Sequence, residues 1–253
     1  MGERAWDDVH VTETGGTDPT LTTTRRRTRS GMIAAMALVL SFAAGATDAF
    51  AFLQLGGVFT ANMTGNFVLA GLTSRPDFGE VLLGATVAVL LFSVGTFLAF
   101  RFTRLVATAD RPTPEAPQHR LVLVLGGAVI AQACVLIGWI VSPETRTTPV
   151  ICVLIALSTL AMAGQTAVAR RIERSGVTTT FVTGTLTSLM QGLADGVHDH
   201  HLIRIGAIVL LVAGALCGAL LTGVDPVFGA ALPLLPSIVG LVLLRLAPTA
   251  SSD

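Results

Sequence analysis

Long apolar runs alternate along this chain with short stretches of Gly, Thr, Asn and Arg. The six runs cover residues 31–53, 81–102, 121–141, 149–169, 202–223 and 230–246, and two prolines interrupt the last. A helix needs about 20 consecutive apolar residues to cross the hydrocarbon core of a bilayer. The runs lack the apolar–polar alternation of the ~10-residue strands in membrane β-barrels. The pattern therefore predicts an all-α integral membrane protein with six transmembrane helices.

Two shorter segments, residues 57–72 and 176–193, lie between these runs. The first opens with "GVFTANMTGN" and the second with "GVTTTFVTGT". Non-helical backbone at membrane depth is tolerated only where protein or a water-filled cavity covers it. We therefore expect both segments to be short re-entrant or broken helices that face an internal site.

The two halves of the chain resemble each other. A shift of 119 residues, without gaps, aligns one half with the other. The aligned pairs include Gly45 with Gly164, Thr64 with Thr183, Gly65 with Gly184, and Gly95 with Gly214. Each half then reads as a long helix, a short segment and two further helices. We predict a first membrane repeat at residues 31–141 and a second at 149–247.

The distribution of arginines along the chain indicates whether the short segments cross the membrane. With eight crossings and a cytoplasmic N-terminus, seven arginines fall outside and nine inside. With six crossings only Arg75 and Arg146 fall outside and fourteen lie inside, which agrees better with the positive-inside rule. Three crossings per half are an odd number, so the two repeats are predicted to be inverted. Inverted repeats with interrupted helices are typical of secondary transporters.

The first 30 residues are polar and end in "TRRRTRS". Their composition predicts a disordered cytoplasmic tail. An alternative is a cleaved signal peptide. The apolar run that follows is long for one and has a counterpart in the second half, so we favour an uncleaved helix.

Composition narrows the class further. The chain has 253 residues, of which 52% are hydrophobic and 13% charged, against about 25% charged in soluble domains. The formal net charge is zero, so nothing indicates a nucleic-acid partner. Cys134, Cys152 and Cys217 lie within apolar runs and are expected to be buried small hydrophobes, with a disulfide or metal role as the less favoured alternative.

Asp48 is the candidate that chemistry singles out, because it lies about two-thirds along the first apolar run. A carboxylate inside a membrane is costly, so its default interpretation is functional: a proton carrier, a cation ligand or a substrate contact. The alternative is an acid near the outer interface. Its counterpart in the second half is Ala167, and Gln165 and Thr166 are the nearest polar residues there.

The short segments supply the other candidates. Polar groups on more than one helical face suit a cavity wall, and glycines permit a break. A helix N-terminus there would favour an anion or a carboxylate. The alternative is hydrogen bonding that only holds helices together. The predicted substrate- or ion-binding residues are Asp48, Thr60, Asn62, Thr64, Gly65, Asn66, Gln165, Thr179, Thr183, Gly184 and Thr185.

Catalytic and metal-binding motifs are weak or missing. The cluster "DGVHDHH", residues 195–201, has no metal-ligand spacing and is expected to be a solvated loop. There is no phosphate-binding glycine loop, zinc-protease helix or nucleophile elbow, so we expect no enzyme, no metal and no cofactor.

The blocks "GATDAFAFLQLGGVFTANMTGN" and "GVTTTFVTGTLTSL" resemble the YoaK-like family of bacterial integral membrane proteins, whose function is unknown. The resemblance covers residues 31–246 and implies a multi-pass protein of the bacterial plasma (inner) membrane, surrounded by membrane lipids. From the architecture we expect a secondary transporter of a small solute, coupled to a proton or cation through Asp48, with both termini cytoplasmic. The alternative is a non-transporting scaffold or sensor; a membrane-embedded enzyme is least favoured.

Overall fold

The computed structural model describes residues 19–104, 106–108, 111–142, 146–172, 182–196 and 201–248. Nine helices and one short hairpin account for most of these residues. The elements are α1 (Pro19–Gln54), α2 (Met63–Gly71), α3 (Phe78–Phe102), β1 (Val106–Thr108), β2 (Arg111–Glu115), α4 (Gln118–Val141), α5 (Thr148–Ile172), α6 (Val182–Ala194), α7 (His201–Val224), α8 (Pro226–Ala231) and α9 (Leu234–Leu246).

Six helical stretches in the described residues are long and apolar enough to cross a membrane, which confirms the predicted helical membrane fold. They lie in α1, α3, α4, α5, α7 and the α8–α9 pair, and have 21 to 27 residues. The short helices α2 and α6 have nine and 13 residues, so at 1.5 Å per residue they reach only about 14 and 20 Å. Helix α2 and the described part of α6 are therefore both shorter than the roughly 30 Å of a hydrocarbon core.

Helix α1 begins earlier than the sequence predicts. It starts at Pro19, so residues 19–30, which composition assigned to a disordered tail, are helical in the structure. A long apolar helix supplies the nucleus from which helix extends at low cost, and proline fits the first turn of a helix. The rest of the predicted tail, residues 1–18, lies outside the described residues.

The last span is broken at Pro233, the first of its two prolines, whereas Pro236 lies in the first turn of α9, where a proline is tolerated. Helix α8 ends at Ala231 and α9 begins at Leu234, with Pro233 as its N-cap. The antiparallel pair of β1 and β2, between α3 and α4, was not foreseen from the sequence.

The helices pack in pairs that correspond when the two halves of the chain are exchanged. Helix α1 packs on α7, as α5 packs on α3. Helix α2 packs on α3, as α6 packs on α7, and α9 packs on α1, as α4 packs on α5.

Two apolar clusters show the relative directions of α1 and α5. The Phe50 cluster contains Phe50 near the end of α1, Leu55 just after it, and Ile155 from the start of α5. The Leu40 cluster contains Leu40 from earlier in α1 and Val168 from the end of α5. Helices α1 and α5 therefore run in opposite directions.

The contact between α1 and α7 is a backbone contact that only glycine permits. A methyl group on Gly45 would overlap the carbonyl oxygen of Leu211, and one on Gly214 would overlap that of Phe42. Small residues at such crossings let membrane helices approach closely. This contact fixes the half of α1 that carries Asp48.

Candidate functional site

The first short segment begins with a reversal of the chain after α1. Gly56 and Gly57 have φ angles of 83° and 73°, in the left-handed region that favours glycine. Val58 follows and is fully buried in the Phe50 cluster. The reversal returns the chain alongside the end of α1 instead of letting it leave the bundle.

Asn66 holds the returning chain in place. Its Oδ1 accepts a 2.9 Å hydrogen bond from the backbone N–H of Phe59, and its Nδ2 donates a 2.7 Å bond to the carbonyl oxygen of Phe59. The side chain is fully buried. One amide therefore satisfies both backbone polar groups of a residue outside regular structure, which would otherwise be costly to bury.

Gly65 makes room for the ring of Phe59. A β-carbon at Gly65 would lie 2.6 Å from that ring. The ring in turn stacks on Phe52 of α1, with centroids 5.0 Å apart. The "TGN" sequence thus has a structural reason: its glycine accommodates Phe59, and its asparagine binds the backbone of the same residue.

Asp48 binds the backbone just before α2. Its Oδ1 accepts hydrogen bonds from the N–H groups of Thr60, at 2.8 Å, and Ala61, at 2.7 Å. Asn62 caps the helix itself through a longer 3.5 Å bond to Gly65. Asp48 therefore binds amides of the loop that precedes α2, and the anion site predicted at a helix N-terminus stays a prediction.

Thr60 ties this segment to the second half of the chain. Its Oγ1 accepts a 3.0 Å hydrogen bond from the Oγ of Ser158 on α5, and both side chains are fully buried. Ser158 was not among the predicted residues, because nothing in its apolar run marks it as a partner of Thr60.

A cavity of about 420 Å³ lies beside Asp48 and is lined by both halves of the chain. Its size falls within the range of small-molecule sites. Among the described residues, Asp48 is the one charged group that lines it. The full lining is Ala44, Asp48, Ala61, Asn62, Met63, Thr64, Gly65, Val68, Phe92, Thr166, Thr183, Gly184 and Leu211.

The cavity brings together six of the eleven predicted site residues. These are Asp48, Asn62, Thr64, Gly65, Thr183 and Gly184. The matched pairs Thr64–Gly65 and Thr183–Gly184 thus share one cavity. Thr166 adds a hydroxyl, and the repeat offers a signal for it because it aligns with Thr47 of α1. Phe92 and Leu211 had no signal beyond their place in apolar runs.

Four of the five remaining predicted residues are described and do not line the cavity. Thr60 and Asn66 are fully buried, and their hydrogen bonds hold the segment together. Gln165 donates a 2.8 Å hydrogen bond to Ser237 of α9, and Thr185 is buried without lining the cavity. Thr179 lies outside the described residues.

Arginines mark the two ends of the bundle. At the end near the Phe50 cluster, Arg146 lies over the ring of Trp139 and donates a 2.9 Å hydrogen bond to its carbonyl oxygen. Arg75 binds Asp77 there, and this hydrogen bond holds the pKa of the Asp77 carboxyl below its usual value. At the opposite end, Arg171 donates a 2.8 Å bond to the carbonyl oxygen of Phe100, in the last turn of α3.

Other candidates from the sequence play no visible part in this site. All three cysteines are free, and none is buried as predicted: Cys134 is exposed on α4, and Cys152 and Cys217 are half-buried, because each lies on an outward face of its helix. No group of potential metal ligands occurs among the described residues. Residues 197–200 of the histidine-rich stretch lie outside them.

The fold and the site define a class: a multi-pass helical membrane protein with an internal cavity of mixed polar and apolar lining beside a short helix. The chain belongs to the family described as "Protein of unknown function (DUF1275)", whose model matches residues 36–245. It is 30% identical over 192 residues to the UPF0700 transmembrane protein YoaK of Bacillus subtilis (strain 168). That alignment covers 72% of this chain and 80% of the relative, and it confirms the resemblance to the YoaK-like family. No solved structure matches the chain at a significant level.

Proposed function

We propose that this protein is a secondary transporter that moves a small solute through the cavity beside Asp48. The observation that carries the proposal is the lining of one cavity by Thr64–Gly65 from one half and Thr183–Gly184 from the other. In many secondary transporters the substrate site lies between two repeats and is built from discontinuous helices. The reversal at Gly56 and the short helix α2 supply a discontinuity of this kind.

The internal pairing of helices supports an inverted repeat. Helix α5 aligns with α1 in sequence, packs on α3 as α1 packs on α7, and runs opposite to α1. Two units related in this way can exchange conformations, so that the cavity opens alternately to either side of the membrane. We interpret residues 31–141 and 149–247 as these units.

The chemistry of the cavity favours a neutral polar or a cationic solute. Asp48 offers negative charge, while Asn62, Thr64, Thr166 and Thr183 offer hydrogen-bond donors and acceptors. The N–H groups of Thr60 and Ala61, in the loop before α2, already bind the carboxylate of Asp48. Both bonds end on Oδ1, so Oδ2 is the oxygen that we propose for the solute or the coupling ion.

The placement of arginines supports a bacterial plasma membrane protein with cytoplasmic termini. Arg75 and Arg146 lie at the end that would face outward, and Arg171 lies at the opposite end. This orientation follows the positive-inside rule.

Solute uptake into proteoliposomes tests the proposal. A panel of neutral, cationic and anionic solutes is compared in vesicles with wild-type protein, with Asp48→Asn and without protein, each with and without a proton gradient. We expect wild-type uptake of a neutral or cationic solute that responds to the gradient, and loss of that response in Asp48→Asn. If no solute enters faster than in protein-free vesicles, the proposal is rejected in favour of the scaffold.

A further inference from the structure

An open groove lies at one end of the bundle, where the start of α4 meets the end of α9. It has a volume of about 650 Å³. Both helices contribute to its lining, which includes Gln118, His119 and Arg245. No residue lines both this groove and the cavity beside Asp48, so the groove is a separate feature of the surface.

Gln118 joins the two helices that form the groove. Its Nε2 donates a 2.8 Å hydrogen bond to the carbonyl oxygen of Leu244 and a 3.0 Å bond to that of Ala247. The last carbonyl groups of a helix have no partner within the helix, so these bonds satisfy the end of α9. They also place Arg245, in the last turn of α9, beside the first turn of α4.

The groove carries positive charge that no other described residue neutralises. The side chains of His119 and Arg245 are exposed, and neither has a hydrogen-bond or ion-pair partner among the described residues. No described acidic residue lines the groove. Arginine has five N–H donors and a permanent charge, and histidine adds at least one N–H donor. Such a pair suits an anion with several oxygens, such as a phosphate group.

The groove lies at the level of the membrane surface. Two of the membrane-spanning stretches are Gln118–Val141 and Pro226–Leu246, so His119 and Arg245 lie in the outermost turns of their spans. Val122 and Leu123 extend the lining toward the hydrocarbon, and Leu123 is 61% exposed. The groove is therefore cationic at the level of the lipid headgroups and apolar below it, which matches a phospholipid better than a soluble anion.

We propose that this groove binds an anionic phospholipid. Its phosphate group lies between Arg245 and His119, and the start of an acyl chain lies against Val122 and Leu123. Basic pockets between transmembrane helices are known to bind anionic headgroups. The bound lipid ties α4 of the first half to α9 of the second, next to the bonds made by Gln118. The proposal does not depend on transport, since it uses no residue of the cavity.

Native mass spectrometry of the full-length protein, released from detergent micelles, tests this site. The protein is titrated with dioleoylphosphatidylglycerol and, separately, with dioleoylphosphatidylcholine. The second lipid has the same acyl chains and a phosphate group, but no net charge. We expect the first phosphatidylglycerol to bind several-fold more tightly than the first phosphatidylcholine. Equal affinities would overturn the proposal.

Two variants distinguish the groove from the general charge of the surface. His119→Gln/Arg245→Gln removes the cationic pair, whereas Arg101→Gln removes an exposed charge outside the groove, in the last turn of α3, whose end binds the start of α4. We expect the affinity for the first phosphatidylglycerol to fall roughly fivefold in the double variant, as for one basic residue at a membrane surface. Arg101→Gln should keep the wild-type affinity. An equal fall in both variants would overturn the proposal.

Inorganic phosphate and glycerol 3-phosphate distinguish a lipid from a soluble anion. Both carry the phosphate group without acyl chains. We expect that neither compound, at millimolar concentration, displaces the bound phosphatidylglycerol from the wild-type protein. Displacement by either one would assign the groove to a soluble phosphate and overturn the lipid proposal.

Discussion

The Oδ1 atom of Asp48 lies 2.8 Å from the backbone nitrogen of Thr60, twelve residues further along the chain. This bond joins α1 to the segment that follows its break, and Thr60 in turn binds Ser158 of the second half. The carboxylate that lines the cavity therefore also holds the neighbouring segment in place. A movement of Asp48 would therefore be transmitted to α1, to the start of α2 and to α5.

Substitutions at Asp48 should separate its structural role from its charge. Asp48→Asn keeps an oxygen that can accept from Thr60 and Ala61, whereas Asp48→Ala leaves two donors unsatisfied. We expect the free energy of unfolding to fall by about 1–3 kcal/mol more in Asp48→Ala than in Asp48→Asn. Thermal unfolding in detergent measures this difference. Equal stability of the two variants would contradict the proposed role of the hydrogen bonds.

Asn66 should be the most sensitive polar residue of the first short segment. Asn66→Ala removes both bonds to Phe59 and leaves that residue's N–H and carbonyl unsatisfied, each at a cost of about 1–3 kcal/mol. The matched control is Asn62→Ala, which loses only an exposed 3.5 Å bond. Unfolding midpoints of the two variants should differ clearly. If Asn62→Ala lowered the unfolding midpoint more than Asn66→Ala, the two hydrogen bonds between Asn66 and Phe59 would not stabilise the segment as described.

Gly65 should not tolerate a methyl group. In Gly65→Ala the new β-carbon would meet the ring of Phe59, and overpacking of this kind costs about 1–3 kcal/mol. Gly71 in the same helix has open space at that position, so Gly71→Ala should be neutral or slightly stabilising. The double variant Gly65→Ala/Phe59→Leu should recover part of the loss. Absence of any recovery would mean that the ring is not what Gly65 accommodates.

The loop between α3 and α4 should lie in the cytoplasm. A reporter fused within residues 103–117 reads the side directly, and one fused within residues 143–147 serves as its opposite control. We expect a cytoplasmic signal from the first and a periplasmic signal from the second. The reverse pattern would invert the orientation, and the same signal from both would contradict a single crossing by α4.

Much of the fold could be predicted from the sequence because membrane helices depend on length and hydropathy, which are local properties. All six spans were placed within a few residues, apart from the start of α1 at Pro19. The short segments were recognised by their glycines, and the residues around Thr64 and Thr183 were assigned to one site through the repeat. Both residues line one cavity, and their role in binding stays a prediction.

Residue roles were less predictable because they depend on which groups the fold brings together. Asn66 is polar and lies in a polar segment, as expected of a cavity residue, yet its amide binds the backbone of Phe59. Asp48 was recognised as important, but its bonds to Thr60 and Ala61 follow from a chain reversal that no spacing shows. Gln165 of α5 donates a hydrogen bond to Ser237 of α9, and no local sequence pattern predicts that these two residues meet.

The most direct test of the central claim is to fill the cavity from each half in turn and measure uptake. Thr64→Phe and Thr183→Phe place a ring at the wall from opposite repeats, while Thr86→Phe adds the same ring on the exposed side of α3 as the matched control. With a transported solute in proteoliposomes, we predict that both cavity variants abolish uptake and that Thr86→Phe retains it. Uptake by Thr64→Phe and Thr183→Phe at the level of the Thr86→Phe control would contradict transport through the cavity.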